Sequence, residues 1–174
     1  MTVATRRVAT VREVDREVRC LGAVVTVREA DTASAAARKM ARYDVGCVVV
    51  LGRDHGVTGI LTERDIMTEV VAAGADPTSL PVSAIMTRDV ISCRADTSIA
   101  KARRLMTGHG VRHLPIIEDG VPLGMLSSRD ILAWQLSRAR LVARRQRQAL
   151  HRIEERHPDV SAWTHDPSGR VVIG

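Results

Sequence analysis

The chain has 174 residues and a mass of 19.0 kDa, which suits one compact domain or a domain built from two small halves. Its 45% hydrophobic and 26% charged residues exclude a disordered chain, no apolar run approaches the roughly 20 residues of a membrane span, and three cysteines without a CxxC pair exclude a disulfide framework. The net charge of +6 is uneven. Residues 1–135 hold 18 basic and 16 acidic side chains, whereas residues 136–174 hold 8 and 4, so a nucleic-acid contact through a basic folded body is disfavoured and any such contact falls to the tail.

Residues 1–9 read as a loose arm with no apolar stretch behind it to serve as a signal peptide, which makes the cytoplasm the expected location. Val24 to Val27 is a short β-branched strand, and Ser34 to Tyr43 an alanine-rich helix. Cys47-Val48-Val49-Val50-Leu51 is the continuous apolar run of a strand buried on both faces. Gly52 to Gly56 turns the chain, Val57 to Leu61 returns, and a helix runs from Glu63 to about Ala73. Gly74-Ala75-Asp76-Pro77 stops it. After a helical turn at Val82–Met86 the order recurs. A strand lies near Val90-Ile91-Ser92, a helix spans Ser98 to Thr107, and strands Leu114–Ile117 and Val121–Leu126 flank the turn Glu118-Asp119-Gly120. A β-α-β-β-α order stated twice implies an α/β (α+β) fold with small mixed sheets.

The last helix begins at Ser128. Leu132, Leu136, Ala139, Ala143, Gln146, Leu150 and Ile153 form one stripe, and the other faces carry Arg138, Arg140, Arg144, Arg145, Arg147 and Arg152. Two alanines and a glutamine make a weak coiled-coil seam, so the helix docks on the body, docks on a partner, or stays solvated. Pro158 ends it. A turn at Asp166-Pro167-Ser168-Gly169, between Trp163 and Val171-Val172-Ile173, reads as a small hairpin. Divisions fall at residues 10–73, 82–135 and 136–174.

The repetition is literal at one place. Gly59-Ile60-Leu61-Thr62-Glu63-Arg64-Asp65-Ile66 returns 65 positions later as Gly124-Met125-Leu126-Ser127-Ser128-Arg129-Asp130-Ile131. Thr62-x-x-Asp65 and Ser127-x-x-Asp130 each follow a buried strand and open a helix. Alone, such a motif is most simply a cap, its hydroxyl taking an orphan N–H and its acid favouring the helix dipole. Paired and preceded by glycine, it also suits a phosphate at the helix N-terminus and a ribose diol at the acceptor-only carboxylate.

These runs, with Asp44-Val45-Gly46-Cys47-Val48-Val49-Val50, Ile85-Met86-Thr87 and Gly110-Val111-Arg112-His113-Leu114-Pro115-Ile116, resemble the paired cystathionine β-synthase (CBS) domain, or Bateman module, over roughly residues 10–135. The resemblance implies two repeats packed with pseudo-twofold symmetry and a non-catalytic sensor binding AMP, ADP, ATP or a related adenosyl ligand in two clefts. It implies no obligatory cofactor and a homodimer that answers to an unknown protein partner. Carried over residue by residue, ribose falls to Asp65 with Thr62 and to Asp130 with Ser127. Phosphate falls to Arg112 and His113, and adenine to the surroundings of Val25-Thr26, Val45-Gly46, Ile91-Ser92 and Val111. The stretch matching Arg112-His113 in repeat one is the uncharged Gly46-Cys47, so the two sites are expected to be unequal.

Other chemistry is poorly supported. His109 and His113 are four apart, but Gly110 and Pro115 keep them off one helix and no cluster completes a tetrahedral set. Glu63 and Asp65, two apart on a helix, do not converge. Ser127-Ser128 has no GxSxG context. The alternative to a ligand sensor is an interaction or scaffold module with vestigial clefts, working through its arginine-rich tail.

Overall fold

The computed structural model describes residues 8–18, 20–22, 24–156, 163–165 and 171–173. It separates into two units, Met1–Leu132 and Ala133–Gly174. In the first unit the expected order appears twice. Repeat one holds strand β1 (Thr26–Arg28), helix α2 (Ala33–Tyr43), strands β2 (Cys47–Leu51) and β3 (Val57–Thr62), and a helical turn α3 (Glu63–Asp65) that widens into a π-helix over Ile66–Ala72. Repeat two holds helix α5 (Ile99–His109), strands β4 (His113–Glu118) and β5 (Val121–Ser127), and the start of helix α6 (Ser128–Arg156). Before the repeats stand two lead-in helices, α1 (Val11–Val18) and α4 (Val82–Ile85).

The two copies bury corresponding residues in their cores. Ala36, Met40, Val48, Val50 and Leu61 in repeat one are buried, as are Ala102, Met106, Leu114, Ile116 and Leu126 in repeat two. Each central helix opens on a hydroxyl cap, Thr32 or Ser98, and closes on a left-handed residue, Asp44 (φ 52°) or Gly110 (φ 66°). Strand pairing gives the register of the repeats directly. Cys47 lies opposite Thr62 and His113 opposite Ser127, so Cys47 corresponds to His113 and Gly46 to Arg112.

One expected strand fails to form for a local reason. β1 lies parallel to β2, and the Val49 N–H donates to the Val25 carbonyl at 3.1 Å. The residue matching Val49 in repeat two is Pro115, which has no N–H to offer Ile91. The segment Val90–Ser92 is therefore not a strand. A single parallel bridge, Cys93 to Ile116, holds the position, with Cys93 N–H to the Pro115 carbonyl at 3.0 Å and Ile117 N–H to the Cys93 carbonyl at 2.9 Å.

The lead-ins are exchanged. Helix α1, for which the sequence analysis has no element, precedes repeat one but docks on repeat two. The Val11 N–H donates to the Thr97 carbonyl at 2.9 Å and the Arg12 N–H to that of Ala95 at 2.9 Å, with Val11 and Val14 fully buried. Helix α4 precedes repeat two and docks on repeat one in the same way, Val82 N–H to the Asp31 carbonyl at 2.8 Å and Ser83 N–H to that of Glu29 at 3.0 Å. The chain after each helix then crosses the other repeat's last strand, Leu21 pairing with Gly124 and Thr87 with Ile60. Glycine is required at the crossing. A Cβ on Gly124 would come within 2.8 Å of Leu21 Cα, and one on Gly59 within 3.1 Å of the Thr87 carbonyl oxygen.

All three cysteines are free and buried in the first unit. Burial pushes the Cys20 and Cys47 thiols up to about 12 and Cys93 to about 11, because the thiolate would lose its water. At pH 8 iodoacetamide should leave the native protein unmodified on a timescale that alkylates all three in guanidinium chloride, as mass spectrometry would show.

In the second unit, α6 carries the stripe read from sequence, and its large apolar side chains are exposed. Leu136, Leu150 and Ile153 are 50%, 60% and 50% exposed. Arg138 stacks over the Trp134 ring at 5.5 Å, and Trp134 Nε1 is buried with no hydrogen-bond partner among the described residues. Strands β6 (Trp163–His165) and β7 (Val171–Ile173) pair antiparallel as the expected hairpin. The arm up to residue 7, the Pro158 helix stop and the 166–169 turn lie outside the described residues. No helix among the described residues is long and apolar enough to cross a membrane.

Candidate functional site

Both repeated motifs close as capping boxes. The Ser127 N–H and hydroxyl each donate to Asp130 Oδ2, at 2.7 and 2.6 Å, and the Asp130 N–H donates to Ser127 Oγ at 3.2 Å. Thr62 and Asp65 repeat the set at 2.7, 2.7 and 3.3 Å. Two consequences follow. The hydroxyl proton is committed to the carboxylate, so Thr62 and Ser127 offer a ligand a lone pair rather than a donor. The second carboxylate oxygen, Oδ1, has no partner among the described residues and keeps its capacity to accept from a hydroxyl. The next N–H of each helix is also used, Glu63 to the Gly46 carbonyl and Ser128 to the Arg112 carbonyl, both at 3.0 Å. Of the opening N–H groups, those of Arg64 and Arg129 are left to a ligand.

Two clefts lie at these motifs, and each is built from both repeats. The larger, about 620 Å³, takes Ser127, Ser128, Arg129 and Asp130 from repeat two and Val24, Val25, Asp44, Val45, Gly46 and Cys47 from repeat one. The smaller, about 220 Å³, takes Thr62, Arg64 and Asp65 from repeat one and Asp89, Ile91, Gly110 and Val111 from repeat two. Gly46, Glu63, Arg112 and His113 line both.

Most of the expected residues are thus brought together: Thr62, Asp65, Ile91 and Val111 in one cleft, Ser127, Asp130, Val25 and Val45 in the other. Thr26 and Ser92 are in neither. Thr26 opens β1, where alternation turns its side chain away from that of Val25, and Ser92 lies in the segment that is not a strand. The carbonyl of Thr26 instead accepts from Lys39 Nζ at 2.8 Å. The expected inequality also takes another form. Arg112 and His113 do not distinguish one site from the other, because they stand in the wall between them. The clefts differ in volume, and only the larger falls within the roughly 300–1,000 Å³ of small-molecule sites.

Glu63, Arg64 and Arg129 were not anticipated as lining residues. For Arg64 and Arg129 the signal is the motif itself, since arginine stands two residues after Thr62 and after Ser127, whereas Glu63 has Ser128 at its place in repeat two and carries no such signal.

His113 is half-buried, and its pKa is held below the ordinary 6.5, first by burial and then by the Arg112 cation. Asp130 and Glu63 act in the opposite direction, and Arg129 adds to the lowering. Neutral His113 therefore favours the folded state. That contribution is complete above pH 6.5 and is lost as the pH falls through the folded value. Between pH 7 and 5 the wild-type Tm should fall further than that of His113→Gln, and parallel curves would remove His113 from the acid response.

A family model for the CBS domain matches residues 11–72 and again residues 82–137. The chain belongs to the CBS domain family. A mitochondrial CBS domain-containing protein of Arabidopsis thaliana is 34% identical over 106 residues, 59% of this chain and 52% of that protein. The chain spans about half the length of that relative and of a second, from Methanopyrus kandleri (56%). A CBS-domain containing protein from Agrobacterium tumefaciens has a solved structure with TM-score 0.66 and 30% identity, covering 76% of this chain and 98% of that one. A hexameric CBS-CP12 protein from bloom-forming cyanobacteria gives TM-score 0.64 at 28% identity, over 72% of this chain and 70% of its own. Membership in the CBS family supports a regulatory module.

Proposed function

We propose that this CBS pair is a non-catalytic regulatory module that binds an adenosine nucleotide, of the AMP, ADP or ATP kind, in the larger cleft. The observation that carries the reading is the arrangement of Asp130 and Arg129 at one helix opening. A carboxylate oxygen left for a ribose diol sits beside a guanidinium for phosphate, in a cleft of about 620 Å³. Val24, Val25 and Val45 supply the apolar lining an adenine ring needs where no phenylalanine exists. Occupancy is passed on by shape and by contacts between copies, and the hexameric relative supports self-association in the family.

Thermal denaturation tests the reading. AMP, ADP or ATP at 100 times its dissociation constant should add about 2.7 kcal/mol of stability. No shift with any adenine nucleotide, S-adenosylmethionine or NAD would sink it.

A second reading rests on α6, where exposed Arg138, Arg140, Arg144, Arg145 and Arg147 accompany exposed Leu136, Val142 and Leu150. That surface suits an acidic protein partner through charge and apolar contact together. On this reading the clefts are vestigial, no nucleotide shifts the melting temperature, and ending the chain at residue 135 removes the partner.

A further inference from the structure

We propose that Arg112 is a counter-ion shared by the two clefts, so that a phosphorylated ligand in one lowers the affinity of the other for a second. The inference rests on the nucleotide reading above and concerns how its two sites influence one another.

The asymmetry of the duplication is the starting point. The register makes Arg112 the equivalent of Gly46, His113 of Cys47, and Ser128 of Glu63. A symmetric pair would carry two arginines in the dividing wall, or none. Here there is one arginine and one glutamate, and both line both clefts. Arg64 lines only the smaller cleft and Arg129 only the larger. Each site therefore has a private guanidinium and a claim on a common one.

The backbone of Arg112 is pinned, since its carbonyl accepts the Ser128 N–H at 3.0 Å at the opening of α6. Its side chain is exposed, a long stem that can turn either way. A phosphate that takes a guanidinium by a bidentate fork also neutralises its single charge. The first anion captures it. The second then meets its private arginine alone, with Glu63 still in the wall and with the first phosphate nearby. His113 does not replace the missing charge at neutral pH, because burial and Arg112 hold it neutral. The coupling is carried by charge, so it belongs to phosphorylated ligands and is absent for the bare nucleoside.

Calorimetric titration of the full chain with AMP and with adenosine tests this. Asp130→Ala disables the larger cleft and reports the smaller one alone. Asp130→Asn, which keeps an oxygen for the cap, serves if the alanine protein does not fold. Wild-type protein should bind its second AMP at least roughly tenfold more weakly than the smaller cleft binds AMP by itself, within the usual range of coupling. Arg112→Gln should bring that ratio close to one, and adenosine should show a ratio near one throughout. Independent filling of both clefts by AMP, a ratio unchanged by Arg112→Gln, or a smaller cleft that takes no AMP in the Asp130 variants overturns the shared counter-ion while leaving the nucleotide site standing. Absence of any AMP or adenosine heat in the wild type overturns the nucleotide reading itself.

Discussion

Gly124→Ala should lower stability by about 3 kcal/mol, the upper end of what overpacking usually costs, with a fall in Tm of roughly 6–12 °C for a chain of this length. The added methyl would sit 2.8 Å from Leu21 Cα and tighter still against the Cys20 carbonyl oxygen. Both are backbone atoms. Neither can step aside without breaking the Gly22 N–H to Leu123 carbonyl and Met125 N–H to Cys20 carbonyl bonds, each 2.9 Å, that hold the crossing. Gly59→Ala meets a softer obstacle, because the first atom in its way is the Met86 sulfur at 2.6 Å, the end of a flexible side chain. It should cost less than Gly124→Ala. Gly108 lies inside α5 with nothing within 4 Å of the added carbon. There alanine should stabilise by about 1 kcal/mol through helix propensity. Chemical denaturation of the three variants gives the order directly, and a neutral Gly124→Ala would remove the crossing as a structural requirement.

Asp130→Ala should nearly abolish stabilisation by a nucleotide while costing the free protein only about 1 kcal/mol, the usual value of a lost helix cap. A hydrogen bond to a charged group is worth about 1.5–3 kcal/mol. Losing it weakens binding roughly 10- to 150-fold, so a ligand concentration that gave about 2.7 kcal/mol with wild type would give under about 1 kcal/mol in most of that range. Ser127→Ala is the control. It opens the same capping box, so the free protein loses a similar amount, yet the serine proton was already committed to Asp130. Most of the ligand shift should therefore survive. Asp65→Ala should matter less than Asp130→Ala, since its cleft is about 220 Å³ against about 620 Å³. A full ligand shift in Asp130→Ala would place the ribose elsewhere.

Features carried by contiguous residues were open to reading. The Thr62 and Ser127 motifs, the apolar run Cys47–Leu51 and the alanine-rich helix after Thr32 announce their elements because neighbours in sequence decide them. Features decided by distant partners were not. Helix α1 has only Val11, Val14 and Val18 to mark its apolar face, and the carbonyls that hold its first N–H groups belong to Thr97 and Ala95, far along the chain. The strand at Val90–Ser92 looked as sound as the one before α2, and failed because its partner holds Pro115. Arg112 was legible as a phosphate ligand by resemblance. Its standing between two clefts was not, since that depends on the register of two sheets.

The exchanged lead-ins carry a consequence for how such a molecule is put together. If the stretch around residues 74–81 were cut, each half would still offer a helix that fits only the other half and a bare turn that only the other half can cover. Two separate copies of one repeat, trading these helices, would make a symmetric dimer with the same contacts. The duplication is thus a dimer written into one strand of sequence, its association constant replaced by a tether whose effective concentration is on the order of millimolar. Once tethered, the copies no longer have to match wherever they do not interlock. The crossing glycines are alike in the two halves, whereas Gly46 and Arg112 differ.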